Sequence, residues 1–269
     1  MYAVDDTMPA VINPSPGATT DPPATAGATG TVVGADGITY KTVRLGDGSV
    51  WLQQNLGSSR VATAVDDAQS YGDLYQWGRW TDGHEKRMPV FSRTITAAEP
   101  NPNNPAGLIK QWGANVNPYY YHSSNTWWYS STTQFNGANL TDTWSAASPA
   151  LATATNGCDP CRLLLGSTWR LPTQPEYIGL LNNSFVTGTA ISNLNSGFNS
   201  HLKFSAGGYR DRFSTSIGDI GSNGYYWTST AISANNSQVY YLRLGTIINS
   251  YSLTGDWRGY GYSIRCKKD

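Results

Sequence analysis

The three cysteines carry the most distinctive chemistry in this sequence, because two of them are closely spaced. Cys158 and Cys161 form a C-x-x-C pair, a spacing used by redox dithiols and by one half of many zinc sites. The sequence has no second pair, no histidine near the first and no βαβ pattern around it, which disfavours both uses. We predict instead a structural disulfide that ties the middle of the chain to Cys266, in an oxidising compartment.

The three histidines offer no catalytic arrangement that the sequence supports. His84, His122 and His201 are scattered, and their neighbours give no Ser-His-Asp order. We therefore predict a surface histidine at each position. The chain also lacks a Gly-rich phosphate-binding loop. The sequence predicts no enzymatic activity and no cofactor.

Oxygen ligands for a cation occur without a recognisable spacing. The tripeptide Glu99-Pro100-Asn101 matches the calcium-dependent sugar motif of C-type lectins, but no Trp-Asn-Asp partner follows it, so we interpret the match as chance. Asp66-Asp67, Asp82-Gly83-His84-Glu85 and Asp211 do not have EF-hand spacing. The sequence leaves open whether the protein binds a structural cation.

The segment from Gly221 to Cys266 contains more Tyr, Trp, Asn, Ser and Arg than a core of that length would bury. This residue set is typical of binding surfaces such as antibody paratopes. The remaining apolar positions predict three short strands, at Tyr225–Thr228, Val239–Leu244 and Ser263–Cys266, that hold loops outward. A β-meander with ordinary loops fits the composition equally well.

The predicted ligand-binding side chains are those in this segment that the predicted strands do not need. We expect them to cluster on one surface and to tolerate replacement. Tyr251, Trp257 and Tyr260 are the expected energetic anchors. The full set is Ser233, Asn235, Asn236, Tyr240, Arg243, Asn249, Tyr251, Asp256, Trp257 and Tyr260.

Composition places the 269 residues in the globular class and limits the partners. The hydrophobic fraction of 39% is enough for a core, and charged residues make up only 13%, with 18 basic and 18 acidic. This balance gives no reason to expect nucleic acid as a partner. The sequence contains no apolar run of about 18 residues, so we predict no membrane span. The first residues lack a signal peptide pattern, so we expect a removed signal or another route out of the cell, such as a released virus particle.

Domain organisation follows from shifts in composition along the chain. Residues 1–31 contain a Pro/Ala/Thr-rich stretch that predicts a linker or a docking arm, through which the protein could form a homo-oligomer. We predict one domain from 32 to 269, opening with a hairpin over Ile38–Leu45 and Val50–Leu52. A long insertion is expected at about 89–157, and the ligand-facing segment at about 222–265.

Two further local predictions concern the scaffold. Thr173 is a good helix N-cap, with Pro175 and Glu176 in the first turn, so Gln174–Leu181 should be a helix with Tyr177, Ile178 and Leu181 facing inward. We also expect four tryptophans to be buried and to have no role in ligand contact: Trp51, Trp77, Trp169 and Trp227.

Several short motifs follow one another in a fixed order along the chain. They are Gly37-Ile38-Thr39-Tyr40-Lys41-Thr42-Val43, Trp51-Leu52-Gln53-Gln54-Asn55-Leu56, Leu74-Tyr75-Gln76-Trp77-Gly78-Arg79, Asp159-Pro160-Cys161, Trp169-Arg170-Leu171-Pro172-Thr173, Tyr226-Trp227-Thr228-Ser229-Thr230 and Ser263-Ile264-Arg265-Cys266-Lys267-Lys268-Asp269. In that order they resemble the Fibrobacter succinogenes major paralogous domain family, which is similar to the formylglycine-generating-enzyme type of C-type lectin fold. The resemblance extends over roughly residues 34–269.

The resemblance implies an α+β, C-type lectin-like domain with a small twisted antiparallel sheet, few helices and long ordered loops. It also implies that Cys266 pairs with Cys161. The variable proteins of diversity-generating retroelements look similar, and they place hypervariable residues between a YYW-type strand and a closing strand. By this resemblance, about Ser233 to Tyr260 would be a diversified face that binds a protein or glycan receptor on a cell surface. The protein would then be extracellular, on a phage tail tip or as a bacterial adhesin.

Two departures from the family pattern affect these expectations. Cys161 is followed by Arg162 to Thr168 where the family has a short Cys-Pro-x-Gly-Trp step, so the local register differs from the family pattern. A formylglycine-generating enzyme uses a cysteine pair near its substrate groove, and the C-terminal region has only Cys266. Such an enzyme and a structural surface or filament subunit with fixed loops remain the alternatives.

Overall fold

Short strands dominate the part of the chain that the computed structural model describes, which is residues 17–78, 84–87, 92–95, 119–122, 159–212, 216–232, 238–247 and 250–269. The strands are β1 Thr19–Thr20, β2 Thr29–Val33, β3 Thr39–Arg44, β4 Val50–Leu52, β5 Tyr75–Gln76, β6 Ser92–Ile95, β7 Tyr119–His122, β8 Trp169–Arg170, β9 Tyr209–Arg210, β10 Ile217–Gly218, β11 Asn223–Ala231, β12 Gln238–Gly245, β13 Tyr251–Trp257, β14 Gly261–Tyr262 and β15 Lys267–Lys268. The helices are α1 Pro160–Leu165, α2 Gln174–Leu180, α3 Ser184–Thr187 and α4 Leu194–Asn199, and Ala68–Ser70 is a 3₁₀ turn.

The strands form three antiparallel sheets and one parallel pair. The first sheet has the order β1-β2-β3-β4-β15-β8, the second β10-β9-β14-β5 and the third β11-β12-β13, while β6 pairs in parallel with β7. The described residues therefore form a mixed, sheet-rich α+β structure with few helices and curled antiparallel sheets. Within the predicted insertion at about 89–157, the structure describes only β6 and β7. No described helix is both long and apolar enough to span a membrane.

The N-terminal boundary lies earlier than the sequence predicts. Thr19–Thr20 and Thr29–Val33 are paired strands of the first sheet, so the predicted boundary at Val32 falls inside a strand. Arg44 donates hydrogen bonds to the carbonyl oxygens of Pro22 and Pro23, which fixes the intervening turn. The Pro/Ala/Thr-rich composition concealed this pairing because the segment buries little apolar surface. Residues 1–16 lie outside the described residues.

The C-terminal region also differs from the prediction. Tyr251–Trp257 was expected to be loop and is a strand, paired along its whole length with β12. Ser263–Cys266 was expected to be a closing strand, but only Ser263 forms an isolated bridge, to Tyr226, and the strand β15 begins at Lys267. All four of these residues are nonetheless buried.

Alternate residues of β11 supply two separate core clusters, which explains its aromatic sequence. Tyr225 and Trp227 pack in one cluster, whereas Tyr226 packs in the other. In β12, Tyr241 belongs to the first cluster and Leu242 to the second. Because side chains alternate along a strand, the third sheet contributes to the core on both faces. All four tryptophans predicted to be scaffold are buried: Trp51, Trp77, Trp169 and Trp227.

The predicted helix after Pro172 is confirmed, including its cap. Thr173 is the N-cap of α2 and forms a capping box with Glu176. Tyr177 is buried as expected, but Ile178 is 53% exposed, which contradicts its predicted inward orientation. The helix packs through Tyr177 and Leu180, which lie three residues apart on one side, and Ile178 lies outside that stripe.

The predicted disulfide between Cys161 and Cys266 is confirmed, with Cα atoms 5.7 Å apart. Cys161 lies in α1, whose N-cap Asp159 accepts hydrogen bonds from the backbone N–H groups of Cys161 and Leu171. The residues after Cys161 continue this helix to Leu165. Cys158 lies outside the described residues.

Candidate functional site

Five tyrosines form an aromatic cluster, which we call the tyrosine face; four lie on separate strands and Tyr260 lies in the turn before β14. Tyr262 lies at its centre and is buried. The ring centroids of Tyr241, Tyr225, Tyr260 and Tyr209 lie 4.9, 5.2, 5.7 and 6.4 Å from that of Tyr262. Edge-to-face and offset contacts of this kind stabilise aromatic clusters beyond simple burial. The tyrosine face is thus a preformed feature of the fold.

The second and third sheets position the tyrosine face. Tyr225 lies on β11 and Tyr241 on β12, and Tyr225 is directly opposite Arg243 in the β11–β12 register. Tyr209 on β9 and Tyr262 on β14 come from the second sheet, where Gly261 pairs with Arg210. The face therefore spans the junction of the two sheets.

Trp227 forms the floor beneath these tyrosines. Its ring centroid is 4.3 Å from that of Tyr262. Its indole N–H donates a hydrogen bond of 2.7 Å to the carbonyl oxygen of Tyr75 on β5. The buried indole thus links the third sheet to the second and holds Tyr262 in place.

The hydroxyl groups of the tyrosine face fall into two classes. Tyr225 donates to Oδ2 of Asp219, and Tyr262 donates to Oδ2 of Asp256 at 2.6 Å. The hydroxyls of Tyr209, Tyr241 and Tyr260 have no hydrogen-bond partner among the residues that the structure describes. Tyr241 is only 8% exposed, yet its hydroxyl is not enclosed by protein atoms. Three oriented hydroxyls are consequently available to a ligand.

These hydroxyls stay protonated at neutral pH and can donate as well as accept. Burial, followed by the negative charge of Asp256, raises the pKa of Tyr241 to about 12. Burial also raises the pKa of Tyr209 and of Tyr260, again reinforced by nearby carboxylates. Burial raises the pKa of Asp256 too, although hydrogen bonds from Tyr262 and from the backbone N–H of Trp257 oppose that shift.

Two arginines border the tyrosine face. The guanidinium carbon of Arg212 lies 5.2 Å from the ring centroid of Trp257 and 5.3 Å from that of Tyr260, which is the geometry of a cation–π contact. Arg243 donates a hydrogen bond of 3.0 Å to the side-chain oxygen of Asn223. Together with Asp219 and Asp256, the two arginines place both positive and negative charges around the aromatic rings.

Strand alternation divides the predicted ligand-binding residues between two faces of the third sheet. Asp256 pairs with Val239 and so lies on the same face as Arg243 and the tyrosine face. Tyr240 lies on the opposite face, because it is three residues from Arg243 on the same strand. Tyr251 lies there too, because it pairs with Leu244, the residue next to Arg243. The prediction that all the residues share one surface therefore fails for these positions.

The remaining predicted ligand-binding residues have different locations. Trp257 and Tyr260 both contact Arg212. Tyr251 is 37% exposed, and its hydroxyl accepts a hydrogen bond from the side chain of Asn182. Four members of the set lie outside the described residues: Ser233, Asn235, Asn236 and Asn249.

Four aromatic members of the face were not predicted as ligand-binding residues: Tyr209, Tyr225, Tyr241 and Tyr262. The alternation of Val239–Leu244 was a usable signal, because it groups Tyr241 with Arg243 and separates both from Tyr240. No local pattern identified Tyr209 or Tyr262, since their strands meet the third sheet only in the folded chain.

The isolated polar groups of the sequence have mainly structural roles where they are described. His84 is fully buried, which contradicts its prediction as a surface residue, and its Nε2 accepts a hydrogen bond from the backbone N–H of Gln76. Asp67 accepts hydrogen bonds from Arg60 and Thr63. The described residues contain no group of three or more metal-ligating side chains. Glu99-Pro100-Asn101 and Asp82 lie outside the described residues, as does the side chain of His122.

Comparison of the chain with protein-family models, curated proteins and solved structures finds no match. The resemblance to the Fibrobacter succinogenes major paralogous domain family therefore rests on the sequence motifs alone. Any functional interpretation depends on the geometry of the tyrosine face.

Proposed function

We propose that this protein is a non-enzymatic binding protein that presents the tyrosine face to a receptor on a cell surface. The observation that carries the proposal is the set of three tyrosine hydroxyls, of Tyr209, Tyr241 and Tyr260, held without protein partners among the described residues. These hydroxyls are left to solvent, and a ligand that offers a hydrogen-bond partner replaces water there.

The composition of the tyrosine face supports recognition of a macromolecule. Tyrosine, tryptophan and arginine dominate binding energy at protein interfaces, because they give large contact areas with few rotatable bonds. At the border of the face, Arg212 contacts the rings of both Trp257 and Tyr260. The aromatic packing around Tyr262 lowers the entropy that the face would lose on binding.

We further propose that the scaffold is of the C-type lectin-like type implied by the sequence motifs. Several of these motifs contact one another, which supports a shared architecture. Lys267 pairs with both Trp51 and Arg170 across β15, and the backbone N–H of Ser229 donates to the carbonyl oxygen of Pro172. The Cys161–Cys266 disulfide joins two more of the motifs.

Diversification of the segment from about Ser233 to Tyr260 is part of the same proposal. The test uses the coding DNA around the gene. A near-copy of the codons for Ser222 to Arg265, beside a reverse transcriptase and differing only at adenines, is the expected finding. If no such copy exists, diversification falls and the binding proposal is left with a fixed face, as in a surface adhesin. In both cases we propose that the protein acts outside the cell, on a virion or a bacterial surface.

The binding function is tested by labelling the full-length protein and screening it against whole bacterial cells, a glycan array and a protein array. Tyr260→Ala should weaken binding to the target that is found, because it removes a ring of the tyrosine face. Tyr251→Ala is the matched control, since Tyr251 is an exposed tyrosine on the other face of the same sheet. Equal losses for both variants, or a loss for Tyr251→Ala alone, would place the ligand elsewhere.

A further inference from the structure

Arg212 shows which chemical group binds at the border of the tyrosine face. Its guanidinium carbon lies within 5.3 Å of two ring centroids, those of Trp257 and Tyr260. Both rings are half-buried, so each keeps part of its surface toward solvent. A cation over an aromatic ring is attracted by the negative electrostatic potential of the ring face. Trp257 and Tyr260 therefore form an aromatic cation site that a side chain of the protein itself already occupies.

The surrounding charges also favour a cation. The carboxylates of Asp211, Asp219 and Asp256 all lie close enough to raise the pKa of Tyr209, in addition to the larger effect of burial. Asp211 and Asp256 act in the same direction on Tyr260. The carboxylates of Asp219 and Asp256 accept hydrogen bonds from Tyr225 and Tyr262 and so adjoin the tyrosine face. With Asp211, three carboxylates thus oppose the two guanidinium groups of Arg212 and Arg243.

From this arrangement we propose that the tyrosine face binds an arginine or lysine side chain of a protein receptor, which displaces Arg212 from the rings of Trp257 and Tyr260. The proposal rests on the binding function proposed above and specifies the chemistry of its ligand. Arg212 acts as an internal competitor, because a ligand must replace a contact that the free protein already makes. Removing the charge of Arg212 therefore raises the apparent affinity for a cation.

The experiment compares two probes that differ only in charge: N-acetyl-arginine amide and its neutral isostere N-acetyl-citrulline amide. Each is titrated into the full-length wild type, Arg212→Gln and Arg60→Gln, and binding is followed by tyrosine and tryptophan fluorescence. Arg60→Gln is the matched control, since Arg60 is a half-exposed arginine paired with Asp67 away from the tyrosine face. Near-ultraviolet circular dichroism checks the fold, and Arg212→Met provides a second variant if Arg212→Gln does not fold.

The expected result is that Arg212→Gln binds the arginine probe about tenfold more tightly than wild type, as a desolvated cation–π contact would give. Arg60→Gln should equal wild type, and the citrulline probe should bind more weakly to every variant. Equal binding of the two probes to Arg212→Gln, no binding of either, or no gain over wild type would overturn the inference.

This outcome is separable from that of the binding proposal. If a receptor is found that requires Tyr260 while the arginine probe fails, the cation inference falls and the binding function stands. If the probe binds but no variant of the tyrosine face changes receptor binding, the site exists without the proposed function.

Discussion

Arg265 donates a hydrogen bond of 2.7 Å to the side-chain oxygen of Asn55, although the two residues are 210 positions apart in the chain. The arginine is fully buried, and it also donates to the carbonyl oxygens of Leu202 and Leu52. Burial lowers its pKa, because the charged guanidinium is removed from water. The hydrogen bonds described for this cation all go to neutral oxygen atoms, so each contributes strongly to its accommodation.

Asn55→Ala is therefore expected to destabilise the protein by about 2 kcal/mol, the typical value of a hydrogen bond to a charged group. Urea unfolding measures the change in the free energy of unfolding. Lys41→Ala, an exposed position on β3, serves as the control and should change it by less than about 0.5 kcal/mol. If the urea unfolding midpoint of Asn55→Ala equals that of the wild type, the buried Arg265 does not depend on this hydrogen bond for its stability.

Loss of the Cys161–Cys266 disulfide should cost about 4 to 5 kcal/mol, because it closes a loop with a sequence separation of 105. The comparison is between wild type and the Cys161→Ala/Cys266→Ala double variant in urea unfolding, with Cys158→Ala, which keeps the bonded pair, as the control. Mass mapping of non-reduced peptides provides a second check. A peptide that joins Cys158 to Cys161 would contradict the pairing.

Trp227→Ala should destabilise the protein by about 3–5 kcal/mol and reduce the yield of soluble protein. The substitution removes the floor beneath Tyr262 and the hydrogen bond to Tyr75. Trp257→Ala is the matched control, because Trp257 is only half-buried at the edge of the same sheet. Thermal unfolding of both variants makes the comparison, and a soluble Trp227→Ala protein with an unchanged melting temperature would refute the assignment.

Acid should weaken the network that joins α2 to the C-terminus. Although burial opposes its ionisation, hydrogen bonds from Arg170, the backbone of Thr173 and Lys267 lower the pKa of Glu176 to about 2. The pKa of a glutamate in the unfolded chain is about 4.3, so at a pH near or between these two pKa values the unfolded chain binds more protons than the folded protein. Glu176 thus stabilises the fold fully above about pH 5, and this contribution is lost as the pH falls toward 2.

Glu176→Gln tests this dependence. The difference in unfolding free energy between wild type and Glu176→Gln should be largest near neutral pH and should shrink as the pH falls from about 5. Urea unfolding at a series of pH values measures it. A difference that does not vary between pH 7 and pH 3 would mean that Glu176 has an ordinary pKa in the folded protein.

Local sequence signals predicted the elements that depend on local interactions. The capping box at Thr173 and the glycine turn between β3 and β4 are formed by residues only a few positions apart, so their patterns were visible in the sequence. The strand β13 was missed because Tyr251–Trp257 contains polar residues and Gly255, and its strand state depends on pairing with β12.

The tyrosine face was predicted only in part, for a similar reason. Tyr260 and Asp256 were expected to bind ligand on compositional grounds, but composition does not reveal strand register. Tyr209 and Tyr262 join the face through the second sheet, whose strands come from distant parts of the sequence. Side chains brought together in this way become visible only in the folded structure.

Receptor binding by the tyrosine face is best probed with Tyr241→Phe, because this substitution removes a single hydroxyl that has no partner among the described residues. The measurement is the dissociation constant for the receptor identified by screening, paired with the melting temperature. We expect the constant to rise about five- to tenfold, as for the loss of one interfacial hydrogen bond, with an unchanged melting temperature. An unchanged dissociation constant for both Tyr241→Phe and Tyr260→Ala, with both proteins folded, would show that the receptor does not bind the tyrosine face.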